Sequence, residues 1–132
     1  MTEPKSLYER IGGADTIARL VAAFYPRVQA HPLLAPLFPE DITPVMEKQR
    51  LFLTQFFGGP PLYSQKHGHP MLRARHLPFP ITPSRAQAWL SCMAEALDEV
   101  GITGPEREEM WGRLVITAHH MINTKEEAHD KE

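Results

Sequence analysis

Apolar residues in this chain recur at intervals of three and four, and no segment alternates apolar and polar residues with period two. Alternation is what a half-buried strand requires, whereas three-four spacing gathers side chains on one face of a helix. The sequence therefore specifies an all-α fold. Ile17, Leu20, Val21, Phe24 and Val28 form the first stripe, after a start at Gly12-Gly13-Ala14-Asp15 and before a stop at His31-Pro32. Pro26 lies inside it, where it lacks a backbone donor and collides with the carbonyl of Ala22, so a kink or break is expected there. A second helix is expected from Thr43 as N-cap with Pro44 at the first helical position, carrying Val45, Gln49, Phe52, Leu53 and Phe56 in register up to Gly58-Gly59-Pro60-Pro61. Thr82-Pro83 repeats that start signal for a third, with Trp89, Leu90, Met93, Leu97 and Val100 as its stripe and Gly101 past its end. Gly104-Pro105 opens a fourth, with Met110, Leu114, Thr117, Ala118 and Met121 on one face.

A chain of 132 residues is one domain by size and can bury roughly 65–70% of its unfolded surface without disulfide staples. Cys92 is the only cysteine, which excludes an intrachain disulfide and a cysteine zinc cluster, and its place beside the Trp89-Met93 stripe marks it as packing. A net charge of −2 with no basic cluster argues against a nucleic-acid partner. The longest uncharged run, Leu51 to Gln65, has 15 residues and is broken by glycine and proline, where a membrane helix needs about 20. With charged residues from Glu3 to Arg19 in place of a signal-peptide core, a cytoplasmic protein with no membrane partner is expected. Residues 124–132 are polar and expected to fray.

Between the second and third helices, Gly58 to Thr82 spans 25 residues with five prolines, three glycines and three histidines. Loops of that length in a compact domain are commonly functional, disordered or misassigned. Leu62, Tyr63, Met71, Leu72, Leu77, Phe79 and Ile81 are large apolar anchors of a kind that disordered tracts lack, so packing, or a bulky apolar ligand, is expected to order the segment.

Tyr25, Gln49 and Trp89 put polar tips on otherwise apolar stripes. Two readings stay open: they satisfy one another or a backbone carbonyl, which is the commoner outcome, or they converge as donors in an apolar ligand pocket. His76, between arginines and a proline-stiffened stretch, suits an axial iron ligand with Arg75 near an anionic group of a cofactor, although a lone loop histidine is more often a surface or capping residue. His67-Gly68-His69 lacks further ligands nearby and reads as loop structure. His119 and His120 diverge by about 100° on a helix, so one is expected to face the core and the other solvent. Phosphate-loop, nucleophile-elbow, metalloprotease and Cys-x-x-Cys-His motifs are absent from the sequence.

Phe24-Tyr25, Phe38-Pro39 and above all Gly58-Gly59-Pro60, Gly68-His69-Pro70, Leu72-Arg73-Ala74-Arg75-His76-Leu77-Pro78-Phe79 and Ala88-Trp89-Leu90, in this order, resemble a group II truncated haemoglobin from about Tyr8 to Asn123. The resemblance implies a truncated-globin domain over residues 1–123, folded as a two-over-two helical sandwich around haem b, with the segment before His76 replacing most of the proximal-side helix of a globin. His76 matches the iron ligand, and Tyr25, Gln49 and Trp89 match distal ligand-binding positions. Phe38, Val45, Lys48, Phe52, Tyr63, Arg75 and Phe79 match haem-lining or propionate-facing positions. Val45 departs from the distal histidine of ordinary globins, and Phe38 departs from members with tyrosine there, so the distal donors must be the other three. The function implied is reversible, high-affinity binding of O2 and other diatomic ligands such as CO and NO. A second reading is a haem-dependent redox enzyme, peroxidase-like or an NO dioxygenase, whose turnover would call on an external reductase. A third is a haem-free helical interaction module in which Tyr25, Gln49 and Trp89 are a buried polar network.

Overall fold

A computed structural model describes residues 5–126, and every regular element among them is helical. The elements are α1 (Leu7–Arg10), α2 (Gly13–Ala30), a 3-10 turn (Ala35–Leu37), α3 (Thr43–Phe56), α4 (Leu62–His67), α5 (Leu72–His76), α6 (Pro83–Val100) and α7 (Gly104–His120). Helix α2 packs on both α3 and α6, and α6 packs on α7, so the pair α2/α3 lies over the pair α6/α7. That is the two-over-two sandwich. The stripes meet where these pairs face each other: Ile17, Leu20, Phe24 and Val28 of α2, Met93 and Leu97 of α6, and Met110 of α7 are all at most 1% exposed. Arg27 of α2 bonds Glu95 and Glu99 of α6 across the edge of that contact, at 3.2 and 2.6 Å. No helix among the described residues is long and apolar enough to cross a membrane.

The four predicted helices are α2, α3, α6 and α7, and their ends follow the signals with two differences. The N-cap of α6 is Thr82, whose hydroxyl accepts from the Arg85 amide at 3.1 Å, and Gly101 ends it with φ +83°. Thr43, by contrast, is the first residue of α3 and Pro44 the second. The Asp41 carboxylate takes the capping role by accepting from the Thr43 amide at 3.1 Å, because its charge also meets the positive end of the helix. The second difference is at Pro26, where the helix does not break: α2 is continuous from Gly13 to Ala30. Ala22 and Pro26 are both exposed, so water can take the carbonyl that the proline cannot bond.

Helix α1 and the two short helices between Gly58 and Thr82 were not foreseen. Helix α1 had a signal, since Ser6 and Glu9 form a reciprocal capping box. Helices of five or six residues are below the length at which periodicity speaks, and only tertiary contacts hold α4 and α5. Gln55 of α3 exchanges two hydrogen bonds with Ser64 of α4, at 2.8 and 3.0 Å. Phe52, Phe56 and Tyr63 pack ring against ring beside them, and the Arg75 guanidinium lies 5.7 Å from the centre of the Tyr63 ring.

At the far end, the Thr124 amide donates to Ile81 and the Ser84 amide to Glu126, so the start of the expected frayed tail is tied down. Residues 127–132 lie outside the described residues.

Candidate functional site

A cavity of about 510 Å³ opens between the two helix pairs. Every residue singled out for the site lines it, although those residues come from seven different stretches of the chain. Tyr25 enters from α2, Phe38 from just past the 3-10 turn, Tyr63 from α4, Arg75 and His76 from α5, Phe79 from the following loop and Trp89 from α6. Helix α3 presents Val45, Lys48, Gln49 and Phe52, at positions that repeat by three and four and so share one face. The cavity also takes in residues that were not foreseen as site residues: Leu34 and Leu37 at the 3-10 turn, Phe56, Leu72, Arg85, and Leu114 with Ala118 on α7. The α7 residues carried a signal, because their stripe is continuous with the core stripe of the same helix. Spacing alone cannot say which turns of a buried face meet a neighbour and which meet a hollow.

His76 ends α5 half-buried, and its Nδ1 lies 2.7 Å from the Leu72 carbonyl oxygen. A carbonyl only accepts, so Nδ1 carries the proton and Nε2 keeps its lone pair. A hydrogen bond of this kind orients an imidazole and raises its basicity as a metal ligand. Leu72 itself lines the cavity one helical turn before His76.

The three residues with polar tips line the same cavity. Phe24, 1% exposed, touches two of them edge-on: its ring centre is 4.9 Å from that of Tyr25 and 5.1 Å from that of Trp89. Phe38 closes the outer side of Tyr25 at 6.1 Å. Phe24 is thus a spacer between two cavity residues, though it does not line the cavity. Among the described residues, the Tyr25 hydroxyl, the Gln49 amide and the Trp89 indole make no hydrogen bond to one another or to the backbone. No partnerless polar side-chain atom is sealed from all contact with open space, and all three residues line the cavity. Of the two readings left open by the sequence, mutual satisfaction is the one the structure overturns. Burial pushes the Tyr25 phenol well above its ordinary value of 10.0, so it stays a neutral donor through the physiological range.

Two cations, Lys48 and Arg75, are exposed at the cavity rim. Arg75 spends part of its donor capacity on the Pro70 carbonyl at 2.7 Å and the His67 carbonyl at 3.4 Å, which bends the chain toward α5. Arg85 is half-buried and braces the loops by donating to Leu33 and Pro80, at 3.0 and 2.7 Å.

The remaining candidates stand apart from the cavity. The His69 ring Nδ1 accepts from the Met71 amide at 3.1 Å, and the His67 ring leans on Tyr63, so the pair builds loop structure. His119 and His120 are both exposed, contrary to the expectation that one would face the core, because α7 turns its Ala118 and Met121 inward at this end. Cys92 is 4% exposed in the core, and burial first, then nearby Glu95, raises its thiol above the ordinary value and leaves it inert.

Comparison with known proteins adds a lineage to this geometry. The bacterial-like globin family model matches residues 6–123. Group 2 truncated hemoglobin YjbI of Bacillus subtilis (strain 168) is 60% identical over 119 residues, which cover 90% of this chain and 89% of that one. Among solved structures, the group II truncated hemoglobin from Bacillus anthracis superposes with a TM-score of 0.95 at 53% identity, covering 98% of this chain and 99% of the other. The truncated oxygen-avid haemoglobin from Bacillus subtilis does so at 0.88 and 59%, covering 90% and 100%.

Proposed function

Since the chain belongs to the bacterial-like globin family, as a group II truncated haemoglobin, we propose that it holds haem b in the cavity through His76 and there binds O2 and other diatomic ligands reversibly and with high affinity. The observation that carries this reading is that one apolar cavity is lined both by an imidazole with a free Nε2 and by three donors that nothing else among the described residues engages. Those residues fit haem chemically. Apolar walls from α3, α6 and α7 suit a porphyrin face, Nε2 supplies the single nitrogen ligand, and Lys48 and Arg75 stand at the rim where carboxylates would meet solvent. The oxygen-avid character of the structural relative from Bacillus subtilis is in keeping with it.

Haem, when bound, supplies an iron centre that takes up a diatomic ligand and gives it back. The protein decides how tightly. Leu72 fixes the His76 tautomer and so leaves the Nε2 lone pair available to a metal. Tyr25, Gln49 and Trp89 can donate to a small ligand that gathers negative charge, and in an apolar cavity such bonds are stronger than in water. Val45 supplies no donor, so stabilisation rests on the other three. If one such charge-assisted bond contributes about 1.5–3 kcal/mol, it slows release roughly 10- to 150-fold. Slow release suits sensing, scavenging or redox chemistry better than bulk delivery.

The test is an absorption spectrum of the purified protein, oxidised and reduced, with and without carbon monoxide, beside His76→Gly. An intense Soret band that shifts with carbon monoxide, and is lost or altered in the variant, is the expected result. A folded protein that shows no Soret band after haem is added would end the proposal.

A further inference from the structure

His76 is the last residue of a five-residue helix, α5, which is too short to set the direction of a side chain by itself. The groups that fix it come from 47 residues further along the chain. Asn123, just past α7, donates through Nδ2 to the carbonyls of His76 and Phe79, at 3.1 and 3.0 Å. Its Oδ1 accepts from the Ile81 amide at 3.0 Å, and its own amide donates to the Ile81 carbonyl at 3.0 Å. Both donors of the carboxamide are therefore engaged on one loop, residues 76–81, and its oxygen is shared between that loop and the neighbouring Thr124 hydroxyl, which donates to it at 2.6 Å. Arg73 ties the other side of His76 to the same place, donating to the carbonyls of His120 and Ile122 at 3.3 and 3.2 Å. Those carbonyls lie at the end of α7, where helical partners run out and a cation is favoured.

We propose that Asn123 is the positioning residue for His76: its carboxamide sets the backbone on which the imidazole stands, and so the angle at which Nε2 meets the iron. This role rests on the reading of His76 as the iron ligand. Asparagine is specific to it. Aspartate has the same shape and keeps the acceptor for the Ile81 amide, but it turns an oxygen toward two carbonyl oxygens. Alanine removes all side-chain bonds without adding repulsion.

The experiment compares wild type, Asn123→Ala, Asn123→Asp and His76→Gly with two readouts. The first uses haem-free protein and measures amide hydrogen exchange at Ile81, which should be roughly 5- to 30-fold faster in Asn123→Ala. The second uses reduced, haem-loaded protein and records the iron–imidazole stretching band by resonance Raman spectroscopy. That band should be lost in His76→Gly, shifted or broadened in Asn123→Ala, and disturbed at least as much in Asn123→Asp. Far-ultraviolet circular dichroism matching wild type shows that each variant is folded, and Asn123→Ser takes the place of alanine if that variant does not fold. A wild-type band in the folded Asn123 variants overturns the proposal, whatever happens at Ile81, because Asn123 would then be an anchor of the chain only. Unchanged exchange at Ile81 overturns it too, since the clamp would carry no energy. A band that survives in His76→Gly strikes instead at the ligand assignment and removes the positioning role with it.

Discussion

Tyr25 is 3% exposed and yet its hydroxyl has no hydrogen-bond partner among the described residues, so its donor is left for whatever occupies the cavity that it lines. Gln49 and Trp89, both half-buried, likewise carry unbonded donors from two other helices, which is why a ligand reading outweighs a packing one. Trp89→Phe should keep the ring contact with Phe24 and remove only the indole donor. Ligand dissociation from the reduced protein, followed by stopped-flow after oxygen replacement, should then accelerate roughly 10- to 150-fold. An unchanged rate would take Trp89 out of the ligand cage. Tyr25 also makes a prediction about alkaline pH. Its folded-state value is raised by burial above the ordinary 10.0, so its contribution to stability is complete below pH 10 and is lost as pH climbs toward the folded value. Above pH 10, wild type should lose about 1.4 kcal/mol per pH unit more than Tyr25→Phe, as measured by urea unfolding at a series of pH values. Parallel curves for the two proteins would mean that the phenol is not desolvated.

At the scale of elements, α2 carries a local penalty that its surroundings tolerate. Pro26 removes one hydrogen bond from an 18-residue helix, and Arg27 reaches back to the Ala23 carbonyl at 2.7 Å beside the gap. Because the site is exposed, Pro26→Ala should restore the ladder without disturbing the core. It should raise stability by about 1–3 kcal/mol, seen as a higher urea midpoint with an unchanged slope. A lower midpoint would show that the proline stabilises by restricting the unfolded chain instead. The turn after α3 works the other way. A side chain at Gly59 would put its Cβ 2.9 Å from the backbone oxygen of Thr54 and 2.8 Å from the Tyr8 ring, so this glycine is required by close approach. That contact seats α1 against the end of α3, where the Tyr8 amide also donates to Phe57.

For the whole molecule, the core and the cavity are built from different parts of the same helices. The α2–α6 contact is closed by fully buried residues such as Ile17, Met93 and Leu97, none of which touches the cavity. Helices α4 and α5, by contrast, are held by a few hydrogen bonds and by the rings around Tyr63. Removal of haem should therefore raise amide exchange across residues 68–81 while α2 and α6 stay protected. Uniform loss of protection would mean that the cofactor holds the entire fold together.

Four of the seven α-helices among the described residues were legible from period, cap and breaker residues, because amphipathic helices longer than a dozen residues write their buried face directly into the sequence. The candidate site was legible as residue types through resemblance to a family, and position by position those residues line one cavity. What tertiary structure alone decided was the state of each group: that Tyr25, Gln49 and Trp89 leave one another unbonded, that the Leu72 carbonyl accepts a hydrogen bond from Nδ1 of His76, and that Asn123 reaches the loop after it. The last of these joins positions 47 residues apart, from the chain just past α7 to the end of a helix too short to announce itself. A hydrogen bond depends on distance and angle in space, and sequence spacing fixes those only within a single helix or turn.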